Sequence, residues 1–522
     1  MSLMLKPLLL SRRALLAAGA GLMLAAGFYL NTTIPVHADT PVRGGTLKFA
    51  TLGLDTSDPH RHTGSLGVQQ VFVEALTSIA PDGSIDPWLA EDYSVSEDGL
   101  TYTFTLRDGV TFHNGRTMTA DDVKANFERI RAEVQRGWLA SAMALVEGFE
   151  APDPQTFIVK MTEPYAAFLG LISEAWILAP ESEGWDGTIT QPIGTGPFKF
   201  GEWTPQISLV APRHDGYWQE GRPYLDAVEF DLRDATDQNA LAIRAGDLHV
   251  ARVPGDALPE LRADEQISIQ FLRDTTWYFW SFNNRTPNPP FDNARVREAV
   301  AYALDKTAYM NFIAGEDGIV TNQLAVPGNF YHDPELHAAD KHARPDLEKA
   351  RSILAEEGVD PSGVTMKVVS WQTPYSEVAA QMLSQLGFKV EHHALDDLGA
   401  QQTLGEYEWD LAPMASGPRA DIFLRFVRFM SDGPNPVLWG GVQDPELDAL
   451  INAGVTTVDA EQRRARYLEA WQHIMDRYYT VVVGHAANAF AIRDEVRGYE
   501  TGFTWSPHRA DSGLAHTWLA QQ

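Results

Sequence analysis

An arginine and a tryptophan stand two residues apart, at Arg136 and Trp138. An arginine guanidinium can hold a carboxylate through two parallel hydrogen bonds, and a neighbouring indole offers a flat face on which a ligand or a cation can stack. The alternative is that Arg136 is a solvated residue after a helix and that Trp138 belongs to the core. Both interpretations stay open, and the pair is a candidate clamp for a carboxylate.

Two histidines, His60 and His62, are separated by one residue in the polar segment from Asp58 to Thr63. In an extended segment residues i and i+2 share one face, so the two imidazoles could bind a metal only if a third ligand came from elsewhere. Such a pair is more often part of a polar loop. No metal site is therefore expected here.

The sequence carries no Gly-x-Ser-x-Gly elbow, no His-Glu-x-x-His, no phosphate-binding loop and no cysteine. Its acidic pairs Asp121-Asp122 and Asp396-Asp397 are adjacent in sequence, so they fit helix starts or solvated faces better than a spaced acid and base. We expect neither catalytic residues nor a cofactor, and an enzyme is the least favoured class of function.

Composition narrows the possible partners. The 522 residues carry a formal net charge of −29, which makes nucleic acid and anionic lipid surfaces poor partners. The length exceeds that of one compact core and suggests two or three domains. The absence of cysteine excludes disulfides, thiolate metal ligands and a lipid-anchored N-terminal cysteine.

The first 38 residues have the pattern of an export signal. The pair Arg12-Arg13 precedes the uncharged apolar run Ala14 to Leu30, and Val36-His37-Ala38 places small residues before a cleavage point. This arrangement predicts a twin-arginine signal peptide, cleavage after Ala38 and a periplasmic protein. The alternative is a retained membrane anchor, because the run is at the short limit of a spanning helix. No second run of that length follows.

The two halves of the chain differ in their predicted elements. The first half mixes strands and helices without regular alternation, including a predicted helix over 68–79 and another over 237–245 that ends at Gly246. The second half alternates predicted helices with strands near 365–371 and 388–392, which is typical of a separate α/β lobe.

Several phrases, taken in order, cover nearly the whole chain after the signal. They are Ile85-Asp86-Pro87-Trp88-Leu89-Ala90-Glu91, Phe104 to Gly115, Thr119-Ala120-Asp121-Asp122-Val123, Pro192 to Phe198, Tyr217-Trp218, Ala245-Gly246-Asp247, Phe282-Asn283, Pro290 to Val300 and Ala303-Leu304-Asp305-Lys306. Together they resemble the family 5 extracellular solute-binding proteins of ABC importers. That family includes dipeptide-, oligopeptide-, glutathione- and nickel-binding proteins.

The resemblance implies an α/β, two-lobe periplasmic-binding-protein fold with a hinge, in which the first lobe carries an extra subdomain and the ligand is enclosed on closure. The implied domains are a signal peptide at 1–38, a first lobe at 39–280 with an inserted subdomain at about 85–192, a second lobe at 281–485, and a return to the first lobe at 486–522. The glycines of Gly194-Thr195-Gly196-Pro197 are expected to satisfy unusual backbone angles.

The resemblance also implies where ligand contacts lie. The segment with Arg136 and Trp138 resembles the ligand-facing segment of nickel-binding members, and His62 corresponds to an aromatic contact. In the second lobe the loop from Ser416 to Asp421 contacts ligand in the family. The expected ligand-binding residues are His62, Arg136, Trp138, Trp277, Trp280, Ser416, Arg419 and Asp421.

Two departures argue against simple transfer of the nickel function. Phe423 stands where nickel binders carry a metal-contacting histidine, and Ser173 stands where a second clamping arginine is expected. Asp421 matches the aspartate with which dipeptide binders hold the ligand's α-amino group. At least half of the aromatic residues at Trp277 to Trp280 are expected in the core.

The favoured function is a monomeric periplasmic binding protein that captures a peptide-like or opine-like zwitterion and delivers it to ABC permease subunits. The first alternative is a binding protein for nickel or another metal chelate. The second is a ligand-dependent sensor or chaperone, because one fold can serve several functions.

Overall fold

A computed structural model describes residues 40–61, 67–80, 82–133, 137–272, 276–370, 373–395, 397–417, 419, 421–433, 440–501 and 507–520. Contacts divide the chain after Thr40, and Pro41–Gln522 forms one compact unit. The predicted signal peptide lies outside these ranges. Within them, no helix combines the length and the apolar composition needed to cross a bilayer.

The strands, in chain order, are β1 (Thr46–Ala50), β2 (Thr77–Ile79), β3 (Ile85–Pro87), β4 (Ala90–Val95), β5 (Thr101–Leu106), β6 (Val146–Asp153), β7 (Thr156–Met161), β8 (Trp203–Thr204), β9 (Ser208–Pro212), β10 (Ala227–Asp231), β11 (Val250–Val253), β12 (Ile267–Phe271), β13 (Thr276–Phe282), β14 (Gly318–Val320), β15 (Thr365–Ser370), β16 (Lys389–Ala394), β17 (Leu411–Ser416), β18 (Thr480–Ala486), β19 (Ala489–Arg493), β20 (Val496–Arg497) and β21 (Trp518–Leu519).

The helices are α1 (Ala120–Glu133), α2 (Gly137–Ala144), α3 (Phe168–Leu171), α4 (Asp237–Ala245), α5 (Leu258–Arg262), α6 (Ala294–Ala303), α7 (Lys306–Ala314), α8 (Pro334–Ala338), α9 (Leu347–Glu356), α10 (Thr373–Ser384), α11 (Asp397–Glu406), α12 (Phe423–Phe426), α13 (Pro445–Thr456) and α14 (Ala460–Asp476).

Three sheets carry the architecture. The first lobe contains a seven-stranded sheet in the order β12-β19-β11-β1-β10-β9-β8, and the second lobe a six-stranded sheet in the order β14-β18-β13-β17-β15-β16. A four-stranded sheet, β4-β5-β7-β6, forms the subdomain of the first lobe together with the helix that packs against it, α1. The expected two-lobe α/β fold is confirmed.

The chain crosses between the lobes twice. It leaves the first sheet after β12 and enters the second with β13, and it returns from β18 to β19, which pairs antiparallel with β11 and β12. The amide of Leu272 donates to the carbonyl of Asn488, at 3.0 Å, so the crossing segments touch each other. Pairing of Thr276 with Ala486 places the first crossing ahead of β13.

The helix predicted over 68–79 is wrong. Val68–Val71 is a short 3-10 turn, and Thr77–Ile79 is a strand paired with β3. Most side chains of the segment are buried, so its apolar spacing carries no information about one exposed face. The helix over 237–245 is confirmed, because Thr236 accepts from the Asn239 amide at its start and Gly246 ends it at φ 82°.

Candidate ligand-binding site

The loop after β17 begins next to β13 and β18 of the second lobe, which carry aromatic and polar side chains. Ser416 ends β17 and pairs directly with Trp277 of β13, which on its other side pairs with His485 of β18. Directly opposed residues on neighbouring strands point to the same face of a sheet. Ser416, Trp277 and His485 therefore form one row across one face of the sheet.

Arginines gather around the Ser416 hydroxyl. Nη2 of Arg419 and Nη1 of Arg428 each lie 3.4 Å from Ser416 Oγ. Arg425, on α12, is buried and donates through Nη1 to the carbonyl of Leu324. Ser416 and Arg419 were expected at the site from the sequence, whereas Arg425 and Arg428 were not.

Asp421 is buried and forms an ion pair with Arg463 of α14. Its Oδ1 accepts from Arg463 Nη2 at 2.6 Å and from the Phe423 amide at 2.8 Å, and its Oδ2 accepts from Arg463 Nη1 at 3.1 Å. Arg463 also donates to the Tyr331 hydroxyl. A ligand amine at Asp421 would have to share this carboxylate with Arg463, so the expected amine contact remains a prediction.

The subdomain touches the second lobe next to this ion pair. The ring of Tyr165 packs edge-on against Phe423, with 5.8 Å between centroids, and the amide of Ala166 donates to the carbonyl of Val455 at 2.8 Å. We call these four residues the rim contact. The lobes are thus in contact along this edge, two residues beyond Asp421.

The two tryptophans of β13 lie on opposite faces. Trp277 stacks on Phe279 with 4.1 Å between ring centroids, in the apolar cluster shared by the subdomain and the second lobe. Trp280 packs against Tyr309 of α7 in the separate core of the second lobe. Both have no exposed surface, and only Trp277 shares the face of Ser416.

Three expected residues cannot be compared with this geometry. His62 and Arg136 lie outside the described residues. The backbone of Trp138 belongs to α2, but its side chain is outside the described part of the structure. Their ligand contacts remain predictions.

The neighbour of His62, His60, has a structural role. Its Nε2 lies 2.8 Å from the Trp176 carbonyl and its Nδ1 lies 2.7 Å from Nη1 of Arg129. Arg129 also holds the buried carboxylate of Asp58 through two nitrogens, at 3.1 and 2.6 Å. Both ring nitrogens of His60 are engaged within the protein, which favours the polar-loop interpretation of this segment over a metal site.

The structure also describes the two positions, Ser173 and Phe423, at which the sequence differs from the nickel binders. Ser173 is buried and donates its hydroxyl to the carbonyl of Gly170 at 2.7 Å. Phe423 contributes its ring to the rim contact. Both positions therefore serve packing.

A group of possible metal ligands lies elsewhere in the second lobe, at Asp444, Glu446 and His473, whose nearest ligand atoms fall within 4.8 Å of one another. Arg477 already supplies a positive charge there, with Nη2 2.9 Å from Glu446 and Nε 3.4 Å from Asp444. This group joins α13 to α14 as an ion-paired clasp.

The model of the family described as "bacterial extracellular solute-binding proteins, family 5 Middle" matches residues 84–429. The chain belongs to this family. Family 5 proteins bind small ligands and work with ABC transporter permeases. The expectation drawn from the ordered phrases is confirmed.

Relatives in sequence agree with the family, and solved structures agree with its fold. The glutathione-binding protein GsiB of Salmonella paratyphi A is 26% identical over 459 residues, which cover 80% of this chain and 84% of that protein. The ABC transporter substrate-binding protein CtaP of Listeria monocytogenes has a TM-score of 0.79 at 22% identity, covering 92% of this chain and 100% of that one. The binding protein AgaA from A. tumefaciens R10, in complex with agropinic acid, has a TM-score of 0.72 at 24% identity, covering 92% and 99%.

The family phrases meet at one buried carboxylate that the sequence did not single out, Glu74. It accepts from Trp88 Nε1 at 3.1 Å, from the hydroxyls of Thr195 at 2.7 Å and Tyr217 at 2.8 Å, and from Trp218 Nε1. Those donors come from three separate phrases. The phrases of this family 5 protein thus build the first-lobe scaffold around Glu74, which lies inside the segment mistaken for a helix.

Proposed function

We propose that this family 5 protein captures a small peptide-like or opine-like zwitterion between its lobes and delivers it to an ABC importer. The observation that carries the proposal is the loop from Ser416 to Asp421. Arg419 lies 3.4 Å from the hydroxyl of Ser416, which stands opposite Trp277, and the carboxylate of Asp421, shared with Arg463, follows two residues later. A zwitterion needs both signs of charge and an apolar surface for the part between its charged ends.

The relatives support this choice of ligand class. Glutathione, which the GsiB proteins bind by name, is a tripeptide with one amine and two carboxylates. Agropinic acid, bound to AgaA, supports the acidic end of such a ligand alone, because its nitrogen is a lactam and carries no positive charge. In this proposal Arg136 holds a ligand carboxylate from the first lobe, Trp138 stacks on the ligand, and His62 contributes from the first loop.

The proposal includes the route and the partners. The protein is exported by the twin-arginine route on the signal at 1–38, works as a periplasmic monomer and docks onto permease subunits of the inner membrane. Replacing Arg12-Arg13 by Lys-Lys tests the route, since the twin-arginine machinery requires the arginine pair. The expected result is loss of the protein from the periplasmic fraction, and unchanged export would contradict this part of the proposal.

A thermal-shift screen tests the ligand class. The panel contains glutathione, dipeptides, agropinic acid and nickel with histidine. A ligand that binds only the folded state raises the melting temperature by mass action. At a hundredfold excess over Kd it adds about 2.7 kcal/mol to the free energy of unfolding. A hit with glutathione, a dipeptide or agropinic acid supports the proposal, and a hit with nickel-histidine alone would replace it with the metal-chelate alternative. Chromatography of the incubated ligand must show no cleavage, because turnover would make the protein an enzyme.

Delivery is tested in the host. A deletion strain should lose uptake of the labelled ligand found in the screen, and the wild-type gene should restore it. Normal uptake together with a changed transcriptional response to the ligand would instead favour the sensor alternative.

A further inference from the structure

Three arginines lie within ten positions of one another after β17, at Arg419, Arg425 and Arg428. Two of them approach one uncharged atom, because Arg419 Nη2 and Arg428 Nη1 are both 3.4 Å from Ser416 Oγ. Arg428 lies in the short turn after α12, and Arg419 lies in the loop before that helix. Two guanidinium groups thus lie near one hydroxyl at the end of the strand.

The charges of these arginines affect one another. Burial, and next the positive charges of Arg419 and Arg425, lower the pKa of the Arg428 guanidinium to about 9. Arginine side chains otherwise keep a far higher pKa. The surroundings of Arg428 therefore favour an added negative charge.

Two further ionisable groups belong to the same region, Asp421 and His485. Asp421 is turned to Arg463, which it holds through both oxygens. Burial, and next the charge of Arg425, lower the pKa of His485 to about 3, so this imidazole is neutral at physiological pH. His485 therefore adds no positive charge that would compete with the arginines for an anion.

The geometry suits a planar anion. A carboxylate placed beside Ser416 can accept from the hydroxyl and from nitrogens of both guanidinium groups, and such charge-assisted bonds are among the strongest that proteins make. Trp277, opposite Ser416 on the same sheet face, gives the site an aromatic side. Cationic donors that the fold already holds in place also cost little reorganisation on binding.

We propose that a carboxylate of the ligand binds at Arg419 and Arg428 beside Ser416, so that the protein selects peptide-like or opine-like acids that carry a net negative charge. The inference rests on the proposed function and names the substrate class of the same site. If Arg136 holds a second carboxylate from the first lobe, the two lobes grip the two acidic ends of one ligand.

Calorimetry with matched probes tests the inference. The probes are glutathione against its glycine monoethyl ester, and Gly-Glu against Gly-Gln, each pair differing by one negative charge. The wild type is expected to bind the acid at least about tenfold more tightly than its neutral partner in the pair that fits, which corresponds to about 1.4 kcal/mol. Arg419→Gln and Arg428→Gln are expected to remove that preference while affinity for the neutral probe changes little.

Controls separate this inference from the proposed function and from misfolding. Arg466→Gln, at an exposed arginine of α14, is the matched control and should leave the preference intact. Circular dichroism shows whether Arg428→Gln folds. If it does not, Arg428→Lys keeps a positive charge and should keep part of the preference for the acidic probe. Equal affinity of the wild type for acid and neutral probes would overturn the inference and leave the proposed function standing. Binding of none of the four probes would overturn both.

Discussion

The Asp421–Arg463 pair is buried on both sides, with side-chain exposures of 6% and 8%. Removing one member of a buried ion pair leaves an uncompensated charge and costs about 3–5 kcal/mol, whereas removing both costs far less. We therefore expect Asp421→Asn to lower the free energy of unfolding strongly in urea titrations, and Asp421→Asn combined with Arg463→Met to recover most of the loss.

An exposed pair on the same helix is the control for this prediction. Glu469→Gln breaks the exposed contact with Arg466 and should cost less than about 1 kcal/mol. If Asp421→Asn is as mild as Glu469→Gln, the buried pair does not stabilise the second lobe. If it is mild and also weakens zwitterions more than ligands without an amine, Asp421 serves the ligand instead.

The proposed ligand contact of Arg136 predicts a clear effect of mutation on affinity. Loss of a charge-assisted clamp in a water-poor site costs on the order of 2–5 kcal/mol of affinity, so Arg136→Ala should weaken binding of the ligand found in the screen by that amount. The fold should survive. Arg131→Ala, at the exposed end of α1, is the control by calorimetry, and equal affinities of the two variants would return Arg136 to the solvated surface.

Among the elements, the turn from Gly194 to Pro197 shows why a correct motif can have a wrong explanation. Its glycines were expected to satisfy unusual backbone angles, but neither Gly194 nor Gly196 has a left-handed φ. Their backbone instead lies against the 3-10 turn before Glu74: a Cβ on Gly194 would overlap the carbonyl of Phe72, and one on Gly196 would lie 2.6 Å from the carbonyl oxygen of Val71. Close approach, rather than conformation, requires glycine here.

Gly194→Ala should therefore destabilise the first lobe by several kcal/mol, since backbone must move to admit the methyl group; overpacking alone costs about 1–3 kcal/mol. Gly148→Ala is the matched control, because a Cβ at Gly148 meets nothing within 4 Å. The melting temperatures of both variants check this prediction. Equal melting temperatures would show that the turn yields more easily than the structure indicates.

The clasp between α13 and α14 predicts a dependence of stability on pH. Burial opposes ionisation of Asp444, but hydrogen bonds from His473, Tyr479 and the Leu447 amide outweigh it and lower its pKa to about 2. A carboxyl whose pKa is lower in the folded state stabilises above its unfolded pKa of about 4, and this contribution is lost as the pH falls towards 2.

Asp444→Asn should accordingly reduce the free energy of unfolding at pH 7 and reduce it less at pH 3. Urea titrations at the two pH values measure the difference, with Glu461→Gln, on the exposed start of α14, as the control. A deficit that is the same at both pH values would mean that the Asp444 side chain acts through packing and not through its charge.

Sequence reasoning succeeded where local signals determine the element. The helix from Asp237 to Ala245 ends at Gly246 as the pattern predicted, and Thr236 caps its start. The segment 68–79 lacks such signals, and its pairing with β3 and its contacts around Glu74 are set by tertiary structure.

The sequence likewise indicated some residues of the candidate site and not others. The loop with Ser416, Arg419 and Asp421 was singled out by its resemblance to a family loop, and its ligand contacts stay a prediction. Arg463 could not be found in this way, since it lies 42 residues beyond Asp421 on a helix whose polar face looks ordinary in sequence. In sequence Arg428 looks like a solvated helix residue. Its approach to Ser416 depends on the short turn after α12, which the sequence does not indicate.

At the scale of the whole molecule, two lobes are joined by two crossing segments and meet again at the rim contact. A ligand held between them contacts both lobes only when they are closed, so binding favours the closed state by its differential affinity. The cationic site at the Ser416 loop and the predicted clamp at Arg136 would then act on one ligand from opposite sides.

Mass spectrometry of the small molecules released on denaturation tests the central claim most directly, using protein incubated with an extract of its own host and then washed. The account predicts about one equivalent of a peptide-like or opine-like compound with a net negative charge. Release of a metal chelate, of a compound without a carboxylate, or of no compound at all would contradict it.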